Sequence, residues 1–163
     1  MGGPNQEDTL ISAIRLTLTV VSFAFAGAAW AQGGLQFGVS VNPMGPTLNG
    51  NVSVPMFEWG GAVHAARGDV TYGFAGLPGV SLTYQLSDAL ARELRTYVGF
   101  GAGVGFVGED AASALLTLHG LAGANARLLG PLGAYGEVVV GGSALATNMR
   151  FALGVSYELG GER

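Results

Sequence analysis

Beyond residue 34 the chain alternates apolar and polar residues with a period of two, the mark of strands with two unlike faces. The clearest stretch, 94–107, sets Leu94, Thr96, Val98, Phe100, Ala102, Val104 and Phe106 against Arg95, Tyr97, Gly99, Gly101, Gly103, Gly105 and Val107. Residues 35–42, 48–57, 80–86, 112–128, 132–141 and 148–159 follow the same rule. Segment 62–74 is less regular. Val63 and Ala65 alternate with Ala62, His64 and Ala66, and then Arg67-Gly68-Asp69 interrupts, which predicts a bulge there. Residues 87–93 form a polar connection, expected to hold a single helical turn capped by Ser87 or Asp88.

These segments make eight strands joined by short turns, such as Trp59-Gly60-Gly61 and Leu129-Gly130-Pro131. No helical pattern is long enough for a parallel crossover, so neighbours run antiparallel. The expected fold is all-β, an eight-stranded antiparallel up-and-down barrel, which abolishes sheet edges by closure.

Alternation does not say which face is outside; composition does. Only 11% of the chain is charged, all seven basic residues are Arg, and 29 residues are Gly. A soluble surface carries about 25% charged residues. The polar stripes here are mostly Gly, Ser, Thr, Asn and Gln, a poor solvated face but a reasonable lining for a narrow lumen. The apolar stripes then face lipid, and the barrel is transmembrane. Trp59, Tyr84 and Tyr157 are expected near one rim and Phe74, Phe106 and Phe151 near the other, as interfacial girdles. The opposite polarity would give a secreted soluble ligand-binding barrel of lipocalin type. A net charge of -4 without basic clusters excludes nucleic acid as a partner. The absence of Cys excludes disulfides and thiolate chemistry.

Residues 16–31 read LTLTVVSFAFAGAAWA after Arg15 and end in Ala29-Trp30-Ala31, a small-x-small cleavage pattern. The run is short for a bilayer crossing, which takes about 20 residues. Residues 1–31 are therefore expected to be a cleavable signal peptide helix, with Ala29 and Ala31 forming the cleavage site and the cut after Ala31, and residues 32–163 the barrel domain. Glu7 and Asp8 depart from the usual basic n-region, which places true initiation nearer Leu10.

The signal segment, the eight amphipathic strands and the small polar inner stripe together resemble the small OmpA- and OmpX-type outer-membrane barrels. The segment Gly154-Val155-Ser156-Tyr157-Glu158-Leu159 is similar to the family's assembly signal, Gly-x-x-aromatic-x-hydrophobic. The resemblance implies that Gly154, Tyr157 and Leu159 are read by the outer-membrane assembly machinery, and that outer-membrane lipid surrounds the wall. The chain departs from the pattern by continuing through Gly160-Gly161-Glu162-Arg163, and it lacks the family's long outer loops.

Candidate chemistry lies on the inward stripe, where Arg95, His119, Arg127, Tyr135, Glu137, Arg150 and Glu158 fall. Ionised groups away from water need partners. Pairing across Gly130 places Tyr135 beside Asn125, and pairing across residues 142–147 places Arg150 diagonal to Glu137. Arg95, Arg127 and Glu158 share one end. These residues are expected to form a polar network that plugs the lumen, in a protein with a structural or envelope role. A narrow channel or carrier for small or apolar solutes is the alternative. His64 and His119 belong to no Ser-His-acid arrangement and make a poor metal site. Gly99 to Gly105 has Gly at alternate strand positions, not a phosphate-binding Gly-x-Gly-x-x-Gly before a helix. No catalysis, metal or cofactor is expected.

Overall fold

The computed structural model describes residues 34–42, 45–73, 79–91, 93–107, 113–143 and 147–159. The signal segment with Ala29 and Ala31, Phe74 and Glu109-Asp110 lie outside the described residues. Eight strands follow in order: β1 (Gly34–Asn42), β2 (Gly45–Trp59), β3 (Ala62–Gly73), β4 (Gly79–Ala91), β5 (Leu94–Val107), β6 (Ser113–Leu129), β7 (Leu132–Ser143) and β8 (Thr147–Glu158). Each pairs antiparallel with its sequence neighbours, and β8 pairs with β1 to close the barrel. Closure leaves no edge, so the strands satisfy one another's backbone groups as hydrocarbon requires. Following paired positions once around from Leu35 through Val52, Gly68, Leu82 and on to Thr147 returns to the level of residue 45, a stagger of ten residues. Such a stagger demands strands tilted by roughly 35–45°.

The two ends differ. One end, the turn end, carries Gly34 paired with Glu158 and the tight turns Gly60-Gly61 and Gly130-Pro131. Gly60 and Gly61 both have positive φ, 63° and 85°, as a two-residue hairpin between Trp59 and Ala62 needs. The Ala91–Leu94 connection shares the turn end, and the loop end carries the other four connections.

Segment 62–74 was the one where alternation broke, and β3 corrects that expectation. It runs without a bulge, and Arg67 and Asp69 simply continue the inward stripe of Val63 and Ala65. Register instead shifts on β2 between Pro55 and Phe57, on β4 between Ala89 and Ala91, and on β6 between Arg127 and Leu129. All three shifts lie next to turn-end connections, where strands of a closing barrel must bend. The expected helical turn at 87–93 is strand as far as Ala91, and the Ser87 hydroxyl donates to the Val63 carbonyl at 3.3 Å. Because β4 is longer than its alternation indicated, Tyr84 sits on mid-wall opposite Ala66 and Phe100, not at the rim. Trp59 and Tyr157 do flank the turn end, and Tyr72 stands near the loop end.

Polarity is inverted relative to a soluble barrel. Leu82, Phe100, Leu118 and Leu153 are about two-thirds exposed, at 68%, 67%, 65% and 72%. Arg67 and Thr83 are fully buried inside, at 0% and 1%. A lipocalin-type barrel would show the reverse, so the soluble alternative does not describe this wall. Two departures are local. Leu35 and Val52 pack with Val54 and Leu159 near the turn end, and Tyr97, Leu121 and Val139 form an apolar cluster inside the lumen. His64 lies on the outward face of β3 but is shielded, at 7% exposed. It stacks under Phe57 with centroids 4.4 Å apart and its Nδ1 is hydrogen-bonded to the Tyr84 hydroxyl.

Leu153 stands at the middle of β8 on the outer wall. Leu153→Arg is expected to destabilise the barrel by about 2–4 kcal/mol when unfolding by denaturant is followed in lipid vesicles. Ala152→Ser, on the inward face, should cost much less in the same measurement.

Candidate functional site: the lumen network

Arg67 lies at the centre. Its Nη1 and Nη2 donate to Glu137 Oε2 and Oε1 at 2.7 and 2.9 Å, a bidentate bond across the barrel from β3 to β7. Its Nε donates to Asp69 Oδ1 at 2.8 Å. The Tyr97 hydroxyl donates to Glu137 Oε2 at 3.1 Å, and the Tyr97 ring lies 5.8 Å from the guanidinium carbon. Thr83 Oγ1 donates to Asp69 Oδ2 at 3.4 Å and sits 2.8 Å from His119 Nε2. A fully buried guanidinium is tolerable only with this kind of matched, hydrogen-bonded partner set.

Glycines make the network reachable. Tyr97, Gly123 and Glu137 are successive residues across β5, β6 and β7. A Cβ on Gly123 would lie 2.6 Å from the Tyr97 hydroxyl and 2.8 Å from Glu137 Cβ, so only a bare α-carbon lets the phenol cross the strand. Gly101 does the same between Thr83 and His119; a Cβ there would lie 2.9 Å from Thr83 Oγ1. Tyr135 reaches over Gly154 and Gly38 to accept a hydrogen bond from Asn49 Nδ2 at 2.6 Å. The inner glycine stripe is thus a set of crossings for side chains two or three strands apart.

The residues singled out from the alternation fall into separate groups. Glu137 is in the central network, but its partner is Arg67 and not the diagonal Arg150. Arg150 does pair with Val139, two residues from Glu137, yet its Nε has no hydrogen-bond partner. His119 joins the centre through Thr83. Tyr135 is opposite Asn125 in the register, but its hydroxyl bonds to Asn49. Arg95, Arg127 and Glu158 meet at the turn-end mouth, where Glu158 bridges Arg95 at 3.2 Å and Arg127 at 3.1 Å. Both arginine side chains there are well exposed, so this is a rim cluster and not part of the buried plug. Gly154 lies beneath the Tyr135 ring, Tyr157 is exposed on the outer wall, and Leu159 packs against the Leu35–Val52 pair.

Arg67, Asp69, Thr83, Tyr97 and Asn49 are the network members that the sequence reading left out. Arg67-Gly68-Asp69 reads as a break because it is charged and contains Gly. The spacing of Arg67 and Asp69, two apart and in phase with Val63 and Ala65, was the available signal for one inward face.

Thr83, His119 and Asp69 make a hydroxyl–imidazole–carboxylate set in the wrong order. Asp69 touches the hydroxyl, whereas a nucleophile's base has to be oriented by the acid. Among the described residues no group of three or more His, Asp or Glu side chains gathers as metal ligands.

No family model and no curated protein matches the chain. Solved structures do. The N-terminal β-barrel domain of Pseudomonas aeruginosa OprF superimposes with a TM-score of 0.59 at 12% identity, covering 78% of this chain and 97% of that one. The Yersinia pestis outer membrane protein Ail, in a phospholipid bilayer nanodisc, gives a TM-score of 0.56 at 12% identity over 79% and 99% of the two chains. The chain therefore has the fold of the small outer-membrane barrels.

Removing Glu137 strips the buried guanidinium of its bidentate partner and leaves Asp69 alone opposite it. Glu137→Ala is expected to cost about 3–5 kcal/mol in unfolding free energy in detergent micelles. The triple variant Arg67→Met, Asp69→Asn, Glu137→Leu should cost clearly less than Glu137→Ala alone, because it removes all three charges. Equal losses would show that the ion pair is not what holds the lumen.

Proposed function

We propose that this chain is a small outer-membrane β-barrel of a diderm bacterium with a structural, envelope-maintaining role, its lumen closed by the Arg67–Glu137 plug. The observation that carries the reading is the polarity of the wall: a predominantly apolar exterior around a fully buried ionic centre. A cleaved signal at residues 1–31 would deliver it to the envelope, the turn end would face the periplasm, and the assembly machinery would read Gly154, Tyr157 and Leu159. Its partners on this reading are outer-membrane lipid and that machinery. No reaction is assigned to it, in keeping with the order of Thr83, His119 and Asp69.

The second reading, a narrow channel, is favoured by one observation: several buried amide atoms along β1 and β2 have no partner within the protein. Planar-bilayer recording separates the two. The expected result is no stable pore for the native chain and discrete openings for Glu137→Ala. A stable pore that Glu137→Ala leaves unaltered would defeat the plug. The membrane assignment is checked by fractionation: the protein should partition with outer membranes and migrate on gels in a heat-modifiable way. Recovery in the aqueous periplasmic fraction would overturn it.

A further inference from the structure

The lumen has two unlike sides. Beside β5 to β7 Tyr97, Leu121 and Val139 form a buried apolar cluster. Beside β1 and β2 it is lined by amides. Gln36, Asn49 and Asn51 are 8%, 7% and 4% exposed, so all three are more than nine-tenths buried. Gln36 Oε1, Asn49 Oδ1 and both Asn51 side-chain atoms have no hydrogen-bond partner in the protein. Buried polar atoms in folded proteins are nearly all satisfied, so four orphans on three residues require a guest.

The register places them together. Gln36 pairs directly with Asn51, Asn51 pairs with Asp69, and Asn49 stands two residues along, opposite Gly38, which adds no side chain. The Asn49 amide nitrogen is already committed to the Tyr135 hydroxyl, which leaves its oxygen free for the guest. Three amide oxygens thus adjoin a carboxylate. Asp69 itself is bonded to the guanidinium of Arg67, which it shares with Glu137.

We propose that Gln36, Asn49 and Asn51, with the Asp69 carboxylate beside them, hold a hydrated alkali-metal cation inside the lumen. Oxygen donors select a hard cation. A site with neutral amides and one carboxylate already shared with Arg67 is too weakly charged for calcium, which draws on six to eight oxygens and usually several carboxylates. Waters of the ion's shell accept from Asn51 Nδ2. The seat lies beside the plug and does not depend on whether the barrel conducts.

The test uses the full chain refolded in detergent micelles, titrated with sodium or potassium chloride against choline chloride at constant ionic strength. The side-chain amide resonances of Gln36, Asn49 and Asn51 are followed by NMR, and the midpoint of heat-modifiability by gel. Sodium or potassium is expected to shift these resonances saturably and raise the midpoint, while choline does neither. Asn51→Leu should abolish both responses. Should that variant not fold, Gln36→Met takes its place with the same readouts. Responses identical in choline, or undiminished in the folded variant, would mean that the patch holds water alone and overturn the proposal.

Discussion

A guanidinium removed entirely from solvent has to be matched where it sits, and the interior of this barrel is arranged around that requirement. Arg67 is fixed on β3, its main partner Glu137 is on β7, and the two meet across the lumen in a bidentate bond. The match works only because the barrel is narrow. With eight strands the opposite walls are within reach of one long side chain from each. A wider barrel would leave both groups to water and lose the plug.

The same narrowness sets the distribution of glycine. Large groups such as Tyr97, Tyr135 and Arg67 occupy the lumen, so the strands they cross need bare α-carbons. Gly123, Gly101 and Gly154 are placed where a phenol, an imidazole-bound hydroxyl and another phenol pass over. Gly weakens an ordinary strand because it packs nothing. Inside this barrel it does the opposite, since it lets a neighbour's side chain pack in the place its own would have filled.

Much of the fold was legible in the sequence because transmembrane strands leave a two-residue signature, and because lipid forbids the charged exterior that a soluble barrel would carry. The alternation of 94–107 or 148–159 fixes which residues share a face. It does not fix partners across the barrel. Those depend on the ten-residue stagger, which no single strand encodes, so local pairing points Glu137 to its diagonal neighbour Arg150 and not to Arg67. Local sequence chemistry also misled at Arg67-Gly68-Asp69. Charge and Gly are turn signals in a soluble chain, whereas on the inner face of a membrane barrel they are the contents.

The plug and the rim then answer to different physics. Around Arg67 the partners are buried, so each hydrogen bond is strong and each missing one is costly. At the turn-end mouth, Glu158 bridges two exposed arginines, and water and salt screen those contacts to little net effect. Mutations of similar chemistry at the two places should therefore not be read on one scale. The amide-lined side of β1 and β2 belongs with the plug. Its unsatisfied atoms lie in the same low-dielectric interior, so what occupies them bears on how firmly Asp69, and through it Arg67, is held.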